Sequence, residues 1–330
     1  MTQDQTLTDS FGRTVRYLRI SVTDRCDLRC QYCLPKGFSD FSEPDNWLKP
    51  AEIGRVVTQF AKMGVSHLRL TGGEPLVRRN IVDLAGRLAA VPGIDDLSLS
   101  TNGVRLEDLA EPLHRAGVRR INVSLDSLNP ATYKTITGGG KLAKVLAGLE
   151  AAKAAGFAPI KLNTVVMRGV NEDEIEKIFK FAVAKGYALR LIETMPVGTT
   201  GQATLDRYVE LETIRRSLAT RYELIPDILP GAGPARYYRV AGSSAHIGFI
   251  TPLSQHFCQT CNRVRLSVEG HLITCLGDEH RYPLRPHLRT GCSDEALSYH
   301  LTKAIAQKPA RHEFNNQPTR VTRFMSTTGG

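Results

Sequence analysis

Between residues 16 and 220, short β-branched or aliphatic runs alternate six times with longer helical patterns. No other feature narrows the fold so far. The strand runs are residues 16–23, 66–71, 96–100, 120–125, 160–167 and 188–193, and the helical patterns occupy about 50–63, 80–90, 105–116, 141–155, 172–185 and 204–219. Pro50, Asn171 and Thr204 are of types that open helices, whereas Gly64, Gly117, Gly156 and Gly186 are of the type that closes them. Strict alternation implies a parallel sheet with crossover helices, because parallel neighbours need a long return connection. Six units make either an open doubly wound sheet or a partial barrel, and periodicity does not separate the two.

The character of the chain changes near residue 220. Residues 222–225, 237–241 and 246–251 read as short strands between Pro- and Gly-rich turns. Residues 264–268 and 271–275 read as a hairpin around Glu269-Gly270, followed by a helix over 293–307 and an extended tail over 308–330. The chain therefore divides into a core, residues 1–220, and a C-terminal extension, residues 221–330.

No run reaches the roughly 18 apolar residues that a membrane span requires, and residues 1–10 lack the apolar stretch of a secretory signal. The expected location is the cytoplasm, where disulfides are rare. Seven cysteines there point to metal ligation or catalysis. A net charge of +10 points to an anionic partner such as a polyphosphate, a nucleic acid or a membrane surface.

Cys26, Cys30 and Cys33 follow the first strand in Asp-Arg-Cys-Asp-Leu-Arg-Cys-Gln-Tyr-Cys. A four-iron cluster normally takes four cysteines, so three leave one iron open for chemistry. A zinc site lacking its fourth ligand, or three unrelated thiols, would be the bland alternative. After the second strand comes Thr71-Gly72-Gly73-Glu74-Pro75, which by itself reads as a strand-to-helix turn. Near the other end, Cys258 and Cys261 form a Cys-x2-Cys pair, with Cys275 on the far strand of the hairpin. Spacing alone leaves zinc, with His256 or His271 as fourth ligand, and iron–sulfur evenly matched there. Cys292 matches neither group and reads as a buried or incidental thiol.

The Cys-x3-Cys-x2-Cys pattern with Tyr32, followed by Gly-Gly-Glu, resembles the radical S-adenosylmethionine superfamily. Phe-Cys-Gln-Thr-Cys-Asn-Arg-Val-Arg-Leu (257–266) and Gly-His-Leu-Ile-Thr-Cys-Leu (270–276) resemble the MoaA family, the GTP 3′,8-cyclases of molybdenum cofactor biosynthesis. The likeness runs from about Phe11 to Gly330, and no motif position departs from it.

The resemblance implies an α/β fold, an incomplete (βα)6 TIM-like barrel whose open side is covered by a C-terminal β-rich extension. It implies two [4Fe-4S] clusters, one on Cys26, Cys30 and Cys33 and one on Cys258, Cys261 and Cys275, the second binding the guanine of GTP. Tyr32, Gly73, Ser124 and Met195 match positions that contact S-adenosyl-L-methionine. Arg19, Arg69, Thr101, Lys161 and the run Arg263, Val264, Arg265 match positions that contact GTP. Gly329 and Gly330 match a double glycine that threads into the active-site region and is needed for activity; otherwise it reads as a free terminus.

The implied reaction is a lyase-type cyclisation of GTP, the first step of molybdenum cofactor biosynthesis. An external electron donor, a downstream cyclic pyranopterin monophosphate synthase and a homodimer are further expectations. A nucleic acid partner is not expected, because no aromatic-rich basic patch is present. Two other readings stand beside this one: a two-cluster radical enzyme acting on RNA or a peptide, and a zinc-stabilised nucleic-acid-binding module without catalysis.

Overall fold

The strand runs of the core share one pattern: apolar residues alternate with polar or basic ones, as in Tyr-Leu-Arg-Ile-Ser and His-Leu-Arg-Leu-Thr. Successive side chains of a strand point to opposite faces. One face of the resulting sheet is therefore aliphatic and the other polar.

The computed structural model describes residues 6–229 and 233–329. Among the described residues there are twelve strands: β1 Tyr17–Ser21, β2 His67–Thr71, β3 Asp96–Thr101, β4 Arg120–Ser124, β5 Ile160–Val165, β6 Ala188–Ile192, β7 Leu224–Asp227, β8 Arg236–Val240, β9 His246–Ile250, β10 Arg263–Leu266, β11 His271–Ile273 and β12 Tyr282–Pro283. The helices are α1 Pro50–Lys62, α2 Ile81–Ala89, α3 Leu106–Arg115, α4 Pro130–Thr137, α5 Leu142–Ala154, α6 Ile175–Lys185, α7 Gly198–Ala203, α8 Leu211–Ala219, α9 Arg285–Arg289, α10 Asp294–Ala306 and α11 Met325–Thr328.

All strands join one sheet in the order β12-β11-β10-β1-β2-β3-β4-β5-β6-β9-β8-β7. β1 to β6 are successive parallel neighbours, the (βα)6 series of an incomplete barrel. The extension lengthens this series at both edges. β10 pairs in parallel with β1 and β9 in parallel with β6. β11 and β12 then continue antiparallel on one side, β8 and β7 on the other. The change near residue 220 thus marks a change of pairing within one sheet.

The aliphatic phase packs outward under the helices. Leu18, Leu68, Leu99, Ile121, Leu162, Leu189 and Val264 are all fully buried. Each such side chain stabilises the fold by roughly 1.5–3 kcal/mol. Opposite them, α1 presents Ile53, Val56, Val57 and Phe60, spaced at i, i+3, i+4 and i+7. Pro50 at its first turn and the Glu52 carboxylate, which accepts from the Lys49 N–H at 2.7 Å, fix where α1 begins.

The structure departs from the sequence expectations in three places. Thr204 closes α7 and opens only a short 3-10 turn, Leu205–Arg207; the last core helix, α8, starts later, at Leu211. The alternation also passes over α4, whose signal is Asn129-Pro130; the Asn129 side chain accepts from the Ala131 N–H at 2.9 Å. Finally, the tail from residue 308 folds back across the mouth of the barrel. Phe314 and Val321 bury against Val197, and the short α11 ends at Thr328. Its contacts are non-local, so periodicity carries no trace of them. Cys292 is half-buried, packed against the main core.

Candidate active site

The polar phase of the strands lines the barrel interior. Register sets Arg265, Arg19 and Arg69 in one row across β10, β1 and β2. Arg263 and Tyr17 are partners one step below, toward the strands' N-terminal ends. On the far side Ser124, Asn163 and Arg190 form another row across β4, β5 and β6.

Two cavities open in this interior. The first is walled by Cys26, Cys30 and Cys33 together with Tyr32, Gly73, Ser124 and Met195. The second is walled by Cys258, Cys261 and Cys275 with Arg19, Arg69, Arg263 and Arg265. Asn163, Ile192 and Met195 belong to both walls, so the two cysteine triplets face each other across a shared partition.

The Gly-Gly-Glu motif makes the first wall by close approach. A Cβ on Gly72 would lie 2.2 Å from the Thr23 carbonyl oxygen, and one on Gly73 2.3 Å from that of Arg25. Only bare glycines let the loop entering the first triplet cross here. Gly73 donates its N–H to the Thr23 carbonyl (2.7 Å) and Glu74 donates to that of Arg25 (2.8 Å). The Glu74 carboxylate then ties three segments, accepting from Leu76 N–H, Thr101 Oγ1 and Asn102 N–H at 3.0, 2.7 and 2.6 Å. Burial raises Glu74 to about 7 despite those donors. Tyr32 donates to Asp126 Oδ2 at 2.7 Å, and burial raises that carboxyl to about 6.

In the second cavity the charge is strongly positive. Burial holds the Arg19 guanidinium well below its usual value, with Arg265 and Arg69 adding repulsion. Burial, aided by Arg263, lowers Arg265 to about 10. A polyanion with several oxygens would relieve this repulsion through charge-assisted hydrogen bonds. Lys161 lies deeper, lining neither cavity, its ammonium 5.4 Å from the Tyr237 ring centroid.

The second triplet is held by residues distant in sequence. Arg13 donates to the Cys258 carbonyl (2.9 Å) and to those of Pro309 and Ala310 in the tail. Arg323 donates to the carbonyls of Cys275 and Leu276 and pairs with Glu279 at 3.1 Å. Burial would raise the Cys261 thiol, but Lys308 and Arg263 outweigh it and pull it down to about 6.

Both triplets fit a thiolate-bound cluster. Each set of three free cysteines lines a single cavity. Among the described residues no three His, Cys, Asp or Glu side chains converge on a single-ion position. Thiolates carried on different irons of a cube stand farther apart than the ligands of one zinc. Neither His256 nor His271 lines the second cavity; the histidine that does is His312.

The sequence-derived residues divide as follows. Thr101 lies in the first cavity, hydrogen-bonded to Glu74, apart from the arginine row. Val264 turns its side chain into the core between Arg263 and Arg265, and lines neither cavity. Gly329 reaches the barrel interior, where its carbonyl accepts from Arg265 Nε at 3.5 Å. Gly330 lies outside the described residues. Reading motifs missed Arg190 and Asn163. Their signal is phase: in Ala-Leu-Arg-Leu-Ile and Ile-Lys-Leu-Asn-Thr-Val they alternate with aliphatic residues just as Arg19 and Arg69 do.

Residues 20–182 match the Radical SAM superfamily and residues 187–314 match Molybdenum Cofactor Synthesis C. Over 339 residues the chain is 46% identical to a GTP 3′,8-cyclase of Rhodopseudomonas palustris, covering 100% of this chain and 97% of the relative. It is 47% identical over 325 residues to GTP 3′,8-cyclase 1 of Pseudomonas aeruginosa, covering 98% of each. Among solved structures, SuiB of Streptococcus suis bound to the precursor peptide SuiA superposes with a TM-score of 0.61. That match covers 93% of this chain and 67% of SuiB at 13% identity, a likeness of fold.

Proposed function

The chain belongs to the GTP 3′,8-cyclase family of radical S-adenosylmethionine enzymes, and from that premise we propose how its two cavities divide the work. The enzyme converts GTP to (8S)-3′,8-cyclo-7,8-dihydroguanosine 5′-triphosphate in molybdenum cofactor biosynthesis. One observation carries the division: two cysteine triplets face each other across a partition of Asn163, Ile192 and Met195, and among the described residues the arginines that line a cavity all line the second.

Cys26, Cys30 and Cys33 hold the first [4Fe-4S] cluster, and Cys258, Cys261 and Cys275 the second. When bound, the first cluster with S-adenosylmethionine would supply radical chemistry at the 3′ position of GTP, and the second would help to hold the guanine. The chain's own residues bind, orient and seal. Tyr32, Gly73, Ser124 and Met195 position S-adenosylmethionine beside the first triplet. Arg19, Arg69, Arg263 and Arg265, with Lys161 deeper in the barrel, neutralise the triphosphate and set the ribose toward the partition. Thr101 serves GTP from the first-cavity side, and Val264 through its main chain. Met325 in the wall of the first cavity, with Gly329 following it against Thr71, limits access of water to the site.

The enzyme draws electrons from an external donor, works in the cytoplasm as a homodimer and passes its product to a cyclic pyranopterin monophosphate synthase. No helix among the described residues is long and apolar enough to cross a membrane. The test is to incubate reconstituted, reduced protein anaerobically with S-adenosylmethionine, with and without GTP. Release of 5′-deoxyadenosine that depends on GTP is expected; release indifferent to GTP overturns the division.

A further inference from the structure

Lys308 is 3% exposed, an unusual place for an ammonium. It follows α10, where the chain turns back toward the barrel. Its Nζ donates to the carbonyls of Thr274 (2.6 Å) and Arg263 (3.0 Å) and to the Sγ of Cys261 (3.4 Å). Among the described residues no carboxylate stands within salt-bridge distance of it. A buried cation is costly without a compensating anion. Three of its surroundings therefore matter together: the ligand Cys261, the residue preceding the ligand Cys275, and the main chain of Arg263 in the substrate wall.

We propose that Lys308 is a positioning residue of the second cysteine site, joining β10, the end of β11 and the tail into one wall and serving as the fixed counter-charge of the cluster held there. This rests on the reading that the second triplet holds a four-iron cluster. A cluster on three thiolates gains negative charge on reduction, so a nearby hydrogen-bonding cation favours the reduced form and raises the potential. Arginine at this place keeps the charge; methionine keeps the volume and removes it. The role joins substrate and cluster, because the ammonium that meets Cys261 also fixes the Arg263 carbonyl.

The test uses the full chain with Cys26, Cys30 and Cys33 replaced by alanine, so that only the second site can load. Iron content and a redox titration followed by electron paramagnetic resonance are compared for that parent and for Lys308→Met and Lys308→Arg within it. The parent should take up about four irons, the number of one such cluster. A parent that takes up none sinks the cluster reading itself, and the proposal with it. Given a loaded parent, Lys308→Met should either shift the midpoint potential downward or lose iron several-fold faster to a chelator, while Lys308→Arg stays near the parent in both. If the methionine variant keeps the parent's potential and retention, or if both variants lose the cluster alike, charge at this position is irrelevant and the proposal is overturned.

Discussion

A Cβ on Gly329 would stand 2.2 Å from Cγ2 of Thr71, so the described end of the tail is wedged against the residue that closes β2. Gly329 also has φ +70°, a conformation that L side chains rarely adopt. Gly329→Ala should therefore expel the end of the tail while leaving both triplets intact. We expect GTP turnover to fall at least about tenfold, a barrier change of roughly 1.4 kcal/mol, with iron content unchanged. Wild-type turnover in the alanine variant would show that the wedge does not matter.

Glu74 holds the Gly-Gly-Glu turn, β3 and the loop after it through three accepted hydrogen bonds. In Glu74→Gln one acceptor oxygen becomes an amide that cannot accept, leaving a buried donor without its partner. A loss of about 1–3 kcal/mol in stability is expected. Urea unfolding of the unloaded chain measures it, and a change below about 0.5 kcal/mol would contradict the role given to this carboxylate.

Lys161 bears on pH dependence. Burial, then repulsion from Arg190, Arg120 and Arg69, lowers its ammonium from 10.5 to about 7. Between those values the unfolded chain binds more protons than the folded one, so this group makes stability rise with pH across that window. Triphosphate binding runs the other way, because it favours the charged form: affinity for GTP should weaken as pH rises above about 7. Calorimetric titration from pH 6 to 9 measures this, and Lys161→Arg should flatten the profile. A profile equally steep in the arginine variant would assign it to another group.

Arg323 joins the tail to the loop of Cys275 through Glu279 and three carbonyls. Arg323→Met removes the cation paired with Glu279, which keeps the hydrogen bonds it accepts from Thr322 and from the main-chain N–H of residue 323. Because that carboxylate stays about a third exposed, the cost should fall short of the roughly 3–5 kcal/mol of a fully buried pair. Limited proteolysis should then cut the tail beyond residue 310 much faster than in the parent. Unchanged cleavage would show that the tail is retained by its apolar contacts alone.

The alternation of strands and helices, the first cysteine triplet and the Gly-Gly-Glu turn were legible in the order of residues, because each is a local pattern; the second triplet, spread over residues 258–275, was legible through its flanking motif. A period of two marks a strand and three thiols within eight residues mark a site, whatever the rest of the chain does. Even Arg190 was readable by its phase on β6. Only the tertiary structure decided that Cys26 and Cys258, 232 positions apart, face opposite sides of one partition. It also decided that β9 and β10 close onto the two edges of the core, and that Lys308, Arg13 and Arg323 serve the second triplet. The reason is physical. Burial and the convergence of charge depend on which surfaces meet, and contacts between segments far apart in sequence leave no periodic trace along it.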